Sequence, residues 1–156
     1  MAVYTKISKK DISYINKKFD IEKILEFKGI KQGIENTNYL LKSKNKKFIL
    51  TIFEKRVSKK ELPFFMNLMD KLNKSKINCP KPQIKKDGGY LINLKNKAAC
   101  IVSFLKGKDK KSLNFKNCRD IGKMIAEIQK STKKINLTRK NSMGVRNLNP
   151  LLKSIK

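Results

Sequence analysis

Residues 27–56 read FKGIKQGIENTNYLLKSKNKKFILTIFEKR, and this stretch decides how the chain folds. Together with the residues just before it, the stretch holds three short apolar runs, at 24–27, 39–41 and 48–53. Runs of this length, bounded by Gly, Asn and Lys, predict three antiparallel strands. A loop of small residues joins the first two strands, and a Lys/Asn turn joins the second pair.

The first of these connections has the composition of a loop that can cover phosphate groups. Gly29 and Gly33 allow backbone torsions that a Cβ atom would forbid. Asn36 and Asn38 carry amide groups that bond nearby backbone. Such a loop, hung between two strands, can lay its N–H groups over the phosphates of a nucleotide. Glycine and asparagine also mark ordinary hairpins, so on the residues alone both interpretations stay open.

Helical periodicity outside this stretch predicts three helices. The first covers residues 8–19, where Ser8 can act as the cap. The second covers 58–75, because Ser58 and Glu61 form a capping-box pattern. The third covers 117–130 and carries an apolar stripe formed by Ile121, Met124, Ile125 and Ile128.

Further strands are predicted in the middle of the chain. Residues 83–86 and 90–94 flank Asp87 and Gly88, a pair that favours a hairpin turn over a magnesium-binding motif. Residues 98–104 are apolar throughout, which indicates a strand buried on both faces. The predicted fold is therefore α+β, with an antiparallel sheet of about five strands and the 58–75 helix packed on one face.

The net charge of +27 raises the question of a nucleic-acid partner. Almost all the cations are lysines, and they are spread along the chain beside many asparagines and isoleucines. A specific reader of nucleic acid normally carries arginine for base edges and aromatic residues for stacking. The pattern favours a codon bias toward A and T, and it argues against a nucleic-acid partner.

The remaining composition points to a cytoplasmic protein. The sequence has no apolar run of about 18 residues, and its start, MAVYTKISKKD, lacks the apolar region of a secretory signal. We therefore expect no membrane partner. Cys79, Cys100 and Cys118 show no CxxC spacing, which is typical of reduced thiols used as small hydrophobic residues.

Eight strings along the chain resemble the homoserine kinases of the aminoglycoside-phosphotransferase-like, protein-kinase-like type. In family order, between residues 1 and 144, they are MAVYTKIS, FKGIKQGIENTNYLL, FILTIFEKRV, LPFFMNLMDKL, CPKP, AACIVSFLKG, CRDIGKMIAEIQ and LTRKNSMG. The resemblance implies a kinase-like small lobe, a hinge and the first helix of a large lobe. It also implies an enzyme that moves the γ-phosphate of ATP to the hydroxyl of L-homoserine, a step in threonine synthesis, with ATP and Mg²⁺ as cofactors.

The same resemblance divides the chain into a nucleotide-binding small lobe at 1–104, a hinge at 105–113 and the start of a large lobe at 114–156. Members of the family carry a His-Gly-Asp loop followed by Asn and a magnesium-binding Asp. This chain has no histidine and no aspartate after Asp120. We therefore expect an amino-terminal fragment without catalytic or metal-binding residues, inactive alone and poorly soluble or oligomeric. A complete site would require the missing carboxy-terminal half.

The resemblance further implies which residues meet the nucleotide. In the wider fold, a lysine inside the third strand pairs with a glutamate on the next helix. Thr51 occupies the place of that lysine here, and Lys55 and Arg56 are the nearest cations. The helix offers Glu61 and Asp70 as acidic residues. The expected nucleotide-binding residues are Gly29, Gly33, Asn36, Asn38 and Thr51 near the phosphates, and Ser103 and Leu105 in the hinge.

Three alternatives stay open. The chain could come from a kinase for another small hydroxyl compound, such as an aminoglycoside or choline, since only the family-like strings favour homoserine. It could also be a non-catalytic nucleotide-binding module, or a basic nucleic-acid-binding protein.

Overall fold

A computed structural model describes residues 3–54, 58–140 and 144 of the chain. Within these residues, the helices and strands in chain order are α1 (Lys9–Lys18), β1 (Glu26–Gly29), β2 (Thr37–Lys42), β3 (Lys47–Ile52), α2 (Leu62–Lys74), β4 (Leu91–Leu94), β5 (Lys97–Ser103) and α3 (Phe115–Thr132).

The strands form one antiparallel sheet in the order β1-β2-β3-β5-β4. Consecutive strands β1, β2 and β3 are neighbours, as expected for strands joined by short connections. The register of β2 and β3 places Asn38 opposite Thr51. The sheet confirms the predicted α+β class with five antiparallel strands.

A helix covers each face of the sheet. Ile12 and Ile15 of α1 belong to the larger core cluster, which includes Ala99 and Ile101 of β5. Met66 of α2 belongs to a second cluster with Cys100 and Val102. Because successive residues of a strand point to opposite faces, β5 is buried on both sides, as predicted. We call the two sides of the sheet the α1 face and the α2 face.

The predicted hairpin between 83–86 and 90–94 is wrong. Strand β4 pairs instead with β5, through a two-residue turn at Lys95 and Asn96, whose φ angles are 53° and 62°. Residues 82 and 85 form only isolated bridges, to Val102 and Phe19. A proline has no N–H for a ladder, which explains why Pro82 does not continue a strand. The Asp87-Gly88 turn itself is present, since the N–H of Gly88 donates to the carbonyl of Lys85.

The capping box predicted at Ser58 and Glu61 is also wrong. Residues 58–61 form a turn in which the Glu61 N–H donates to the Ser58 carbonyl at 2.9 Å, and Glu61 is an N-cap without a side-chain bond. Pro63 explains the late start, because a proline is tolerated only where its missing N–H is not needed. By contrast, α1 has the capping box of Ser8 and Asp11 in full.

The apolar stripe of helix α3 is exposed to solvent. The helix is longer at both ends than predicted, and Asn114 caps it through a reciprocal bond with Asn117. Ile121, Met124 and Ile125 are 42%, 47% and 49% exposed. No helix among residues 3–54, 58–140 and 144 combines the length and hydrophobicity needed to cross a membrane.

The three cysteines are free thiols in different surroundings. Cys79 is half-buried, Cys100 is buried and Cys118 on α3 is exposed. Burial raises the pKa of the Cys100 thiol to about 12. Cys79 accepts a hydrogen bond from the Asn73 amide at 3.1 Å, and burial raises its pKa as well. Cys79 and Cys100 thus behave as the small hydrophobic residues that the sequence predicted, whereas the exposed Cys118 does not.

Candidate functional site

The loop between β1 and β2, residues 30–36, is fixed at both ends and exposed in the middle. The N–H of Ile30 donates to the Asn38 carbonyl at 2.9 Å. The side-chain oxygen of Asn36 accepts from the N–H of Glu54 at 3.4 Å. Residues 31–35 between these anchors are exposed. We call residues 30–36 the glycine loop.

The two glycines of this region are required for different physical reasons. Gly33 has a φ of 102°, a left-handed conformation that L side chains rarely adopt, and open space surrounds the position of a Cβ. At Gly29 a Cβ would lie 3.0 Å from Cγ2 of Val3. Gly29 therefore allows the start of the chain to pack closely on β1, and Gly33 allows the loop to turn.

Asn38 and Thr51 lie together on the α2 face. The Thr51 hydroxyl donates to Oδ1 of Asn38 at 2.8 Å. Their neighbours Tyr39 and Leu50 belong to the core of the α1 face, so alternation along each strand points Asn38 and Thr51 the other way. Since the Oδ1 atom accepts the hydroxyl hydrogen, the two Nδ2 hydrogens of Asn38 are left as donors for another group.

A cleft of about 430 Å³ opens on the α2 face below the first half of the glycine loop. Its walls include Lys28, Lys31 and Leu40. The sequence reasoning missed Lys28 and Lys31 as cations near the loop. The signal for Lys28 was the alternation of β1, where Phe27 packs in the α1-face core and Lys28 must point to the opposite face. Lys31 lies within the glycine loop itself. Lys55 and Arg56, the cations considered from sequence, lie outside the described residues.

A larger cleft of about 670 Å³ runs along the outer edge of β1 against α1. It shares Lys28 and Leu40 with the smaller cleft, but no glycine-loop residue lines it. Its walls come from α1, β1 and β2, so it is a surface groove beside the site.

The two predicted hinge residues differ in what their backbone can offer. The N–H of Ser103 donates to the Lys81 carbonyl at 2.9 Å, and the Ser103 hydroxyl oxygen accepts from the Lys81 N–H. The N–H of Phe104 is directed to the Lys47 carbonyl at 3.2 Å. Leu105 follows them, 40% exposed, at the point where β5 has ended.

Glu61, the N-cap of α2, and Asp70 within α2 form ion pairs with residues outside β3. Glu61 forms an ion pair with Arg139 at 3.0 Å, and the Arg139 guanidinium also lies 5.1 Å from the centre of the Phe65 ring. Asp70 pairs with Lys74 one turn along the helix, at 2.7 Å. Among residues 3–54, 58–140 and 144, no group of three or more His, Cys, Asp or Glu side chains could hold a metal ion.

A polar cluster on the α1 face supports the base of the glycine loop. The Glu54 carboxylate accepts hydrogen bonds from the hydroxyls of Thr37 at 2.6 Å and Thr5 at 2.8 Å, and from the ammonium group of Lys97. Burial alone would raise the pKa of Glu54, but the bonds from Lys97, Thr37 and Thr5 outweigh it and lower the pKa below its usual value. Nothing in the local sequence pattern indicated this cluster, whose members come from four separate parts of the chain.

The comparisons with known sequences give a consistent picture. Residues 26–151 match the family described as "Phosphotransferase enzyme family". Over 145 residues, 93% of the chain, it is 37% identical to a homoserine kinase of Rhizobium etli. Over all 156 residues it is 39% identical to a homoserine kinase of Paramagnetospirillum magneticum. The chain spans about half the length of these curated relatives, 45% and 48% respectively.

Two solved structures share the fold. A spectinomycin phosphotransferase in complex with ADP and spectinomycin superposes with a TM-score of 0.65 over 81% of this chain and 39% of its own, at 15% identity. A microcompartment-associated aminopropanol kinase gives a TM-score of 0.68 over 92% of this chain and 48% of its own, at 12% identity. At these identities the likeness concerns the fold alone.

Proposed function

The chain belongs to the phosphotransferase enzyme family, and on this premise we propose that it forms the nucleotide-binding part of a homoserine kinase. Such an enzyme moves the γ-phosphate of ATP to the hydroxyl of L-homoserine, a step in threonine synthesis. The observation that carries the proposal is the 37–39% identity to homoserine kinases over 93–100% of the chain. The two structural neighbours act on other compounds, but at 12–15% identity they do not favour another acceptor.

We further propose that residues 1–104 form the small lobe, 105–113 the hinge and 114–156 the start of the second lobe. The order of elements supports this division. The described strands and the helices α1 and α2 all lie before residue 104, and no helix or strand is found between Ser103 and Phe115 in the described chain.

In the proposed complex, ATP lies on the α2 face below the glycine loop. Gly29, Gly33, Asn36, Asn38 and Thr51 surround its phosphates. Gly33 fits this role because its left-handed torsion allows the loop to turn, and the Nδ2 hydrogens of Asn38 can donate to a phosphate oxygen. Lys28 and Lys31 would offset part of the negative charge.

The adenine would lie against the hinge backbone at Ser103 and Leu105. We assign the donor role to Leu105, because the Ser103 N–H already donates to Lys81. The magnesium ligands and the base for the homoserine hydroxyl would lie outside the described residues. The free cysteines fit a reducing compartment, so we place the protein in the cytoplasm.

The proposal is tested by titrating the 156-residue chain with a fluorescent ADP analogue, with and without Mg²⁺. We expect saturable binding that unlabelled ATP displaces. Thr51→Val should raise the Kd by about threefold to tenfold, because it removes the hydroxyl that orients Asn38. Ile49→Val, on the same face of the same strand, is the matched control and should leave the Kd unchanged.

Three results would contradict the proposal. Absence of nucleotide binding by the unmodified chain would remove the nucleotide-binding role. Phosphorylation of homoserine by the purified chain alone would overturn the assignment of the catalytic groups to residues outside it. Steeply salt-dependent binding to DNA or RNA in place of ATP would favour the nucleic-acid alternative.

A further inference from the structure

The first described residues, Val3, Tyr4 and Thr5, run along the α1 face at the base of the glycine loop. We call residues 3–5 the N-terminal segment. The N–H groups of Tyr4 and Thr5 donate to the Thr37 hydroxyl oxygen at 2.9 and 3.1 Å. The Tyr39 hydroxyl donates to the Thr5 carbonyl at 2.9 Å. The segment is therefore bonded to β2 at two successive positions of that face.

The segment also packs on β1. Cγ2 of Val3 lies 3.0 Å from the position that a Gly29 Cβ would occupy, which is closer than ordinary van der Waals contact. Gly29 is the last residue before the glycine loop begins. The segment thus contacts both strands that flank the loop, β1 and β2.

This attachment is held by buried groups. Thr37 is fully buried, and its hydroxyl donates to Glu54 while it accepts from the segment. Glu54 in turn is held by Thr5 and by Lys97 of β5. Because these bonds lie in a largely buried network, they resist competition from water. The N-terminal segment is a fixed support relative to the sheet.

From this support, one side chain reaches the middle of the loop. The Tyr4 hydroxyl donates to the carbonyl of Ile34 at 2.9 Å. Tyr4 is 56% exposed and Ile34 is 84% exposed, so the contact buries little surface and adds little to the stability of the sheet. Its main physical effect is to favour one position of the Ile34 carbonyl.

We propose that Tyr4 is a positioning residue that holds the glycine loop from the α1 face in the shape that receives a nucleotide on the α2 face. This inference rests on the proposed function, since it assumes that the loop covers phosphates. A loop restrained before binding loses less conformational freedom on binding, so the restraint increases affinity without touching the ligand. Tyr4 belongs to the string MAVYTKIS, which the proposed function leaves without a role.

The test compares Tyr4→Phe with the unmodified 156-residue chain. Tyr14→Phe is the matched control, since Tyr14 is also an exposed tyrosine, at 36%, and belongs to α1 rather than to the N-terminal segment. Three quantities are measured: the thermal midpoint, amide hydrogen exchange of peptides covering residues 30–36, and the Kd for a fluorescent ADP analogue. For Tyr4→Phe we expect an unchanged midpoint, faster exchange confined to the loop, and a Kd raised by about threefold to tenfold. Tyr14→Phe should change none of the three.

The outcomes separate this inference from the proposed function. If the unmodified chain binds no nucleotide, the proposed function fails and the inference fails with it. If the unmodified chain binds and Tyr4→Phe matches it in affinity, Tyr4 has no positioning role, whatever the exchange rates. If the Kd rises while loop exchange is unchanged, Tyr4 acts by direct contact with the ligand, which also overturns the inference.

Discussion

Glu54 shows how much one side chain contributes when it joins distant parts of the chain. Its carboxylate receives bonds from Thr5 before α1, Thr37 at the start of β2 and Lys97 at the start of β5. The Glu54 side chain is only 10% exposed. A carboxylate in such surroundings is costly to bury without partners and stabilising when all its partners are present.

Replacing this carboxylate should destabilise the fold in a pH-dependent way. We expect Glu54→Gln to lower the free energy of unfolding by about 1–3 kcal/mol at neutral pH, since charged hydrogen bonds are lost. Because the folded pKa of Glu54 is lowered, its contribution is fully present above the unfolded value of about 4.5. It is lost as the pH falls through the folded pKa.

Urea unfolding of both proteins across a pH series measures this difference. The difference in the free energy of unfolding between the two proteins should be constant near neutral pH and should disappear under acid conditions. Glu26→Gln is the control, because the exposed Glu26–Lys42 pair should matter little. The role of Glu54 would be contradicted if this difference stayed constant at acid pH. It would also be contradicted if Glu26→Gln lowered the free energy of unfolding by the same amount.

Single residues also show where sequence reasoning reached its limit. The apolar runs that became β1, β2 and β3, bounded by Gly, Asn and Lys, are a local pattern, and they carried enough information to predict the strands. The bonds of Tyr4 to Ile34 and of Lys97 to Glu54 join residues 30 and 43 positions apart. Neither pair follows from a local period, so the support behind the glycine loop became visible only in three dimensions.

At the scale of elements, α1 begins with a complete capping box. The Ser8 N–H donates to the Asp11 carboxylate at 2.8 Å, and the Asp11 N–H is directed to the Ser8 hydroxyl oxygen at 3.5 Å. The helix carries Ile12 and Ile15 into the α1-face core immediately after this cap. Its start therefore sets the position of two core residues.

We expect Ser8→Ala to lower the free energy of unfolding by about 0.5–2 kcal/mol, as is usual when an N-cap hydroxyl is removed. Ser13→Ala is the matched control within the same helix; Ser13 is exposed, and alanine is the better helix former. Chemical denaturation of the three proteins measures the effect. Equal stability of the two variants would show that the capping box contributes nothing.

Elements also explain the two errors in the predicted fold. Ser58 and Glu61 match a capping pattern, yet Pro63 prevents the helix from starting before Glu61. Residues 83–86 precede the Asp87-Gly88 turn and are expected to pair across it, yet Pro82 interrupts the ladder beside β5. In both cases a proline prevented the element that the neighbouring residues predicted.

At the scale of the whole molecule, the apolar residues of the sheet are buried between helices, whereas those of α3 are exposed to solvent. The sheet is enclosed between α1 and α2. Helix α3 has no buried residue, and its exposed Ile121, Met124 and Ile125 continue a series of exposed apolar residues that includes Leu105, Leu113 and Phe115. Apolar surface of this extent is unusual on a monomer.

We expect the chain to self-associate through α3 despite its net charge of +27. The double change Ile121→Gln and Ile125→Gln should shift sedimentation toward the monomer, because it removes apolar surface at the centre of the stripe. Lys116→Gln with Lys123→Gln is the control for changes of equal number on the same helix, and it should not reduce association. A native chain that is monomeric at every concentration and melts cooperatively would contradict this expectation.

The unequal thiols offer a practical route to study α3. Since deprotonation activates a thiol, Cys100, with its pKa near 12 and its buried position, resists alkylation under mild conditions. Cys118 stands in the open on the first turns of α3. A maleimide dye should therefore attach to Cys118 first, with no engineered cysteine. Its fluorescence would then change when another protein surface covers α3.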